Sequence, residues 1–133
     1  MKTLIVDDDF VSRLVLQNVL MAYGEAHIAV NGKEAVEVFT VALRLGSPYD
    51  VICLDIMMPE MDGQDVLRSI RRIEAEHDIL GNAGVKIIMT TALADGKNIM
   101  HAFNSQCEAY LVKPIDSLKL VKQLKDLGLL QGR

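Results

Sequence analysis

The chain has 133 residues and a mass of 14.7 kDa, which fits one domain with room for a sizeable core. Half of the residues are hydrophobic, which excludes a disordered chain. A net charge of −4 and a pI near 5.3 argue against nucleic-acid binding through a basic surface.

Residues 2–7 read as a short apolar strand that runs into three carboxylates, Asp7, Asp8 and Asp9. The opening MKTLIVDDD has too short an apolar run, too soon charged, for a signal peptide. A helix is predicted from Phe10 to Tyr23, with Asp9 as N-cap and Gly24 as stop. At ~100° per residue, Ser12, Leu16, Val19 and Tyr23 share its core-facing stripe. Phe10, Leu14 and Met21 fall opposite, with Gln17 among them, and should point outward. AHIAV (26–30) is a second strand, and Asn31-Gly32 introduces a helix to about Leu45, closed by Gly46 and Pro48. DVICLD (50–55) is a continuous apolar run, the pattern of a central strand buried on both faces. MMPEMDG breaks it, and a helix resumes near Gln64 and runs to the mid-70s.

HDILGNAG reads as an irregular connection within the stretch Glu74–Gly84. VKIIMTT (85–91) is a strand, Lys97 to Asn104 a helix, AYLV (109–112) a strand, and Asp116 to Leu127 the last helix. Five strands thus alternate with five helices, which implies a parallel sheet covered on both faces. No apolar run approaches the ~20 residues of a membrane span. Cys53 and Cys107 lack CxxC spacing and read as reduced core thiols of a cytoplasmic protein. Lys119, Lys122 and Lys125 form a local basic cluster; Asp116 and Asp126 flank it, so it reads as a solvated helix face.

In such sheets ligands bind beyond the carboxyl ends of the strands. That edge collects Asp7 and Asp8 from strand 1, Asp55 from strand 3, Thr91 from strand 4 and Lys113 just past strand 5. Carboxylates this close repel by ~4 kcal/mol per pair at 4 Å and an effective dielectric of 20. A divalent cation relieves that repulsion, and Asp8 and Asp55 are hard oxygen ligands suited to magnesium. A magnesium ion, an ammonium and a hydroxyl around a carboxylate can stabilise a transferring phosphoryl group, and carboxylates do form aspartyl phosphates.

The segments LIVDDD, ICLDIMMPEMDG, IIMTTA and YLVKP, in that order, resemble the receiver domain of two-component response regulators, of the stand-alone chemotaxis and phosphorelay type. The resemblance covers essentially the whole chain. It implies a flavodoxin-like doubly wound sheet, strand order 2-1-3-4-5, as one receiver domain over 1–133 with no output domain. By the same resemblance Asp55 is the phosphoacceptor and Asp7 and Asp8 are the acidic pair. Asp8, Asp55 and the carbonyl of Met57 would hold magnesium, or manganese in its place, with Asp7 acting through water. Thr91 and Tyr110 match the switch residues, Ala92 the small residue beside the threonine, and Lys113 the lysine that pairs with the phosphoryl group. Lys113-Pro114 matches a cis peptide. Asp9 has no counterpart role, which leaves it the N-cap.

The resemblance implies a signalling switch with self-catalysed phosphorylation and dephosphorylation, not a turnover enzyme. A histidine kinase or histidine phosphotransfer protein would supply the phosphoryl group, docking on Phe10, Leu14 and Met21. The face of the fourth predicted helix, strand 5 and the fifth predicted helix would signal to a partner other than nucleic acid or membrane, with the receiver as monomer or phosphorylation-dependent dimer. Met57 and Leu93, both bulky and apolar, flank the expected path of attacking water, which points to slow loss of phosphate. Two departures stand out: the connection before strand 4 is longer than in compact members, and Gln106 occupies a position where the family usually has Gly.

Two other readings use the same residues. Asp7 and Asp9 form a DxD pattern, as in magnesium-dependent phosphatases working through an aspartyl phosphate; there, however, the nucleophile ends the first strand. A non-phosphorylated interaction module would retain the fold alone. Singly, each residue has an ordinary role: Asp55 a turn former, Thr91 a strand residue, Lys113 a solvated terminus, Tyr110 core. The set, brought to one edge, favours the switch.

Overall fold

A computed structural model describes residues 1–92 and 107–130. Five strands, β1 (Thr3–Val6), β2 (Ala26–Ala29), β3 (Val51–Asp55), β4 (Lys86–Thr91) and β5 (Ala109–Val112), form one parallel sheet in the order β2-β1-β3-β4-β5. Four α-helices lie among the described residues: α1 (Phe10–Leu20), α2 (Gly32–Arg44), α3 (Gly63–Glu76) and α4 (Ser117–Asp126). The predicted helix Lys97 to Asn104, with Leu93 and Gln106, lies outside the described residues. Among the described residues, no helix is long and apolar enough to cross a membrane.

Successive strand side chains point to opposite faces, and the apolar runs fill both. Leu4, Val6, Ile52, Leu54, Ile87 and Met89 pack with Ala35 and Phe39 of α2 and Val66, Leu67 and Ile70 of α3. The alternate residues Ile5, Val51, Cys53 and Ile88 pack with Leu16 and Leu20 of α1 and Leu120 and Leu124 of α4. Each fully buried Leu or Ile contributes about 1.5–3 kcal/mol. Cys53 and Cys107 are free and buried, and burial pushes the Cys53 thiol up to about 12, so it is an inert filler.

The outward stripe of α1 is as expected: Phe10 is 66%, Leu14 45% and Met21 60% exposed. The inward stripe needs one correction. The α-helix ends at Leu20, and Met21–Tyr23 form a 3-10 turn. Each residue then turns ~120° rather than 100°, and Tyr23, expected in the core, is exposed. Leu20 takes its place as a fully buried anchor.

The long connection from α3 to β4 is ordered around an ionic staple. Arg71 Nη1 donates to Glu74 Oε1 at 2.7 Å and to the Val85 carbonyl at 2.8 Å, while its Nη2 donates to Glu108 Oε1 at 2.7 Å. Glu74 Oε2 accepts the Val85 N–H at 2.7 Å, and Glu108 Oε1 accepts the Ile87 N–H at 2.6 Å. Gly84 lets this packing close: a Cβ there would lie 2.7 Å from Glu74 Oε1. The tip of the connection, Gly81–Ala83, is a 3-10 turn.

Candidate functional site

The carboxyl edge of the sheet gathers the expected residues. β1 is buried throughout, so the residue after it, Asp7, enters the interior with no exposure. Asp9 turns the chain into α1 as its N-cap, its carboxylate accepting from Ser12 N at 2.9 Å and Ser12 Oγ at 2.8 Å. These bonds lower the Asp9 pKa. Asp8, between them, is exposed at the rim. Asp55 ends the fully buried β3 and is 3% exposed. Carboxylate oxygens of Asp7, Asp8 and Asp55 all lie within 4.8 Å of one another.

Lys113 follows β5, and its backbone N–H bonds the Thr91 carbonyl at 2.6 Å. Its Nζ sits 2.8 Å from Asp7 Oδ2 and 3.3 Å from Asp55 Oδ2. Burial opposes its charge, but the hydrogen bond with Asp7 and the charges of Asp55 and Asp7 outweigh it and raise its pKa. The Lys113-Pro114 peptide is cis. Asp55 Oδ1 accepts the Met57 N–H at 3.2 Å, and the Met57 side chain is exposed beside the pocket. Thr91 is buried at the end of β4, the strand next to β3. Tyr110 lies on β5, 37% exposed, in a groove with Asp116, Lys119 and Gln123.

Sequence reading missed two supports of this site. Arg13 Nη1 donates to the Asp7 carbonyl at 2.9 Å. Gly63 opens α3 behind a capping box of Asp62 and Asp65, and a Cβ there would lie 2.3 Å from the Asp55 carbonyl oxygen. The helix start thus presses on the backbone of the central carboxylate. The Asp62-Gly63 pair was the available signal, a cap followed by a residue without a side chain.

The donor set fits a hard divalent cation. Lys113 pairs with two of the three clustered carboxylates, and the cluster is all oxygen. Burial first, and then the charge of Asp7, push the Asp55 pKa up to about 6 against the pull of Lys113. A carboxylate with a raised folded pKa binds its proton more tightly folded than unfolded. Without a cation, stability therefore falls as pH rises from about 4 to about 6, and the full cost persists above that. Asp55→Asn removes the cost. After allowance for solvent screening, it should stabilise the metal-free protein by about 1–2 kcal/mol near pH 7.5 and by little near pH 4.5. Urea unfolding in chelator at the two pH values measures this; an equal effect at both would contradict the charge account.

The response regulator receiver domain matches residues 3–125. The transcriptional regulatory protein SrrA of Staphylococcus aureus is 37% identical over 125 residues, 93% of this chain and 46% of SrrA. The chain thus spans about half the length of the curated relatives it matches. Among solved structures, the receiver domain of the histidine kinase CKI1 from Arabidopsis thaliana, complexed with Mg2+ and BeF3-, superposes with a TM-score of 0.82 at 28% identity. That match covers 96% of this chain and 89% of the other. The chemotaxis protein CheY4 of Vibrio cholerae gives 0.77 at 26% identity, covering 95% and 97%. With the acidic cluster, the lysine and the 2-1-3-4-5 sheet in place, the chain belongs to the response regulator receiver domain family of two-component systems.

Proposed function

We propose that Asp55 is the phosphoacceptor of a signalling switch, charged by a phosphohistidine on a histidine kinase or histidine phosphotransfer protein. The observation that carries this is the buried Asp55 carboxylate, with Lys113 Nζ at 3.3 Å and two more carboxylates within 4.8 Å. The Asp55 carboxylate attacks phosphorus; the P–O bond forms as the P–N bond breaks, and its electron pair returns to the imidazole, which takes a proton from solvent. An ionised carboxylate needs no general base. Lys113 balances charge on the transferring oxygens, and the Thr91 hydroxyl donates to one of them.

Magnesium, or manganese with the same oxygen preference, would be held by Asp8, Asp55 and the Met57 carbonyl, with Asp7 through water, and would neutralise charge on acceptor and phosphoryl oxygens. Water later hydrolyses the aspartyl phosphate without help from a turnover enzyme, past the apolar Met57. Thr91 and Tyr110 relay the new charge to the face bounded by β5 and α4, in a monomer or in a phosphorylation-dependent dimer. The setting is the cytoplasm. Use of Asp9 as the cap of α1 favours this reading over a phosphatase, which needs its second Asp free as acid or base.

The test is intact-mass spectrometry after incubation with acetyl phosphate and magnesium. The wild type should gain one phosphoryl group, and Asp55→Asn or added chelator should prevent it. An unchanged wild-type mass, or equal labelling of Asp55→Asn, would refute the assignment.

A further inference from the structure

Of the three clustered carboxylates, Asp7 is tied down by Lys113 and Asp55 by Lys113 and Met57. Asp8 is exposed, so the direction of its carboxylate depends on how its backbone is held. Resting on the metal-site reading above, we propose that Arg13 is a positioning residue that orients Asp8 for the divalent cation.

The Arg13 guanidinium donates to the Asp7 carbonyl oxygen at 2.9 Å. That oxygen shares a planar peptide unit with the N–H of Asp8, so holding one fixes the plane of the other. On the far side of the turn, the Asp9 N–H donates to Asp7 Oδ1 at 2.9 Å, and Asp9 is itself fixed by its cap on Ser12. Asp8 is therefore suspended between two clamped residues. Arg13 reaches back from the first turn of α1, where its own N–H bonds the Asp9 carbonyl at 3.1 Å. Its guanidinium carbon lies 5.8 Å from the centre of the Phe10 ring, within cation–π range, which steadies the fork from the outer side. The resulting line runs from an exposed aromatic through a guanidinium to the peptide that carries a metal ligand. Residues that orient ligands without touching the ion set metal affinity in many sites.

The experiment is calorimetric titration of the full chain with magnesium chloride, at a temperature where circular dichroism reports every variant folded. Arg13→Met should weaken binding about 10-fold, the lower end of the cost of losing a residue that orients metal ligands. Arg13→Lys, which keeps one donor, should recover part of that loss. In an Asp8→Asn background, Arg13→Met should change the residual binding no further. An affinity for Arg13→Met within about two-fold of wild type would overturn the assignment, because ligand-orienting residues cost more than that. So would a lysine variant as weak as the methionine one, or a further loss in the Asp8→Asn background. If the wild type binds magnesium and Asp8→Asn binds it more weakly, such a result leaves the metal site standing and removes only Arg13; if the wild type binds none, both readings fall.

Discussion

Leu14→Glu is expected to slow phosphoryl transfer from a protein donor about 30-fold or more, while acetyl phosphate labels the variant at close to the wild-type rate. The magnitude is that of one interface hot spot, about 2 kcal/mol. Leu14 is 45% exposed on the outward side of α1, in line with Phe10 and Met21, and Val11 and Val15 add to the same apolar surface. Asp9, the cap of this helix, stands next to the acidic pair, so a helix laid along the stripe would bring a phosphohistidine towards the pocket. A carboxylate at position 14 would be desolvated by an apolar partner with nothing to pair with. The pocket itself keeps all its groups, which is why the small donor should be unaffected. Labelling by both donors, followed by mass, separates the outcomes: equal loss with both would indicate a damaged fold, and no loss with either would move docking elsewhere.

Arg71→Met should destabilise the fold by about 3 kcal/mol, read as a lower urea midpoint at unchanged slope. Arg71 is 15% exposed by side chain and bridges Glu74, 5% exposed, to Glu108, 25% exposed. Methionine matches its length but leaves two carboxylates facing each other in a poorly solvated corner. Glu74→Gln added to Arg71→Met should recover part of the loss, since an amide oxygen still accepts from Val85 and carries no charge. A loss below about 1 kcal/mol would mean that solvent reaches the staple freely.

The centre of the sheet was legible because its three strands are buried on both faces: LIV, VICLD and KIIMT are nearly unbroken apolar runs. Alternation of strand and helix then placed Asp7, Asp8, Asp55, Thr91 and Lys113 on one edge without any contact being known. Helix boundaries were legible where a cap was written in the chain, as at Asp9 and Asn31. The end of α1 was not, since nothing in LMAYG distinguishes a last α turn from a 3-10 turn until Leu20 is packed. Arg71 and Glu108 are 37 residues apart and carry no pattern, so their bond exists only once α3 lies beside the start of β5. Arg13 was invisible for a related reason: its partner is a carbonyl, which every residue has.

The same staple has a practical side. Because Glu74 and Val85 are locked together, the tip between them bears no load: Leu80 is 70% exposed, and an added Cβ at Gly81 would meet nothing within 4 Å. Tip and acidic edge are at opposite ends of β4, about 17 Å apart for six residues at strand rise. A dye, a tether or a short peptide tag inserted at 81–82 would therefore leave the chemistry untouched and give the molecule a handle, with attachment at one pole and reaction at the other.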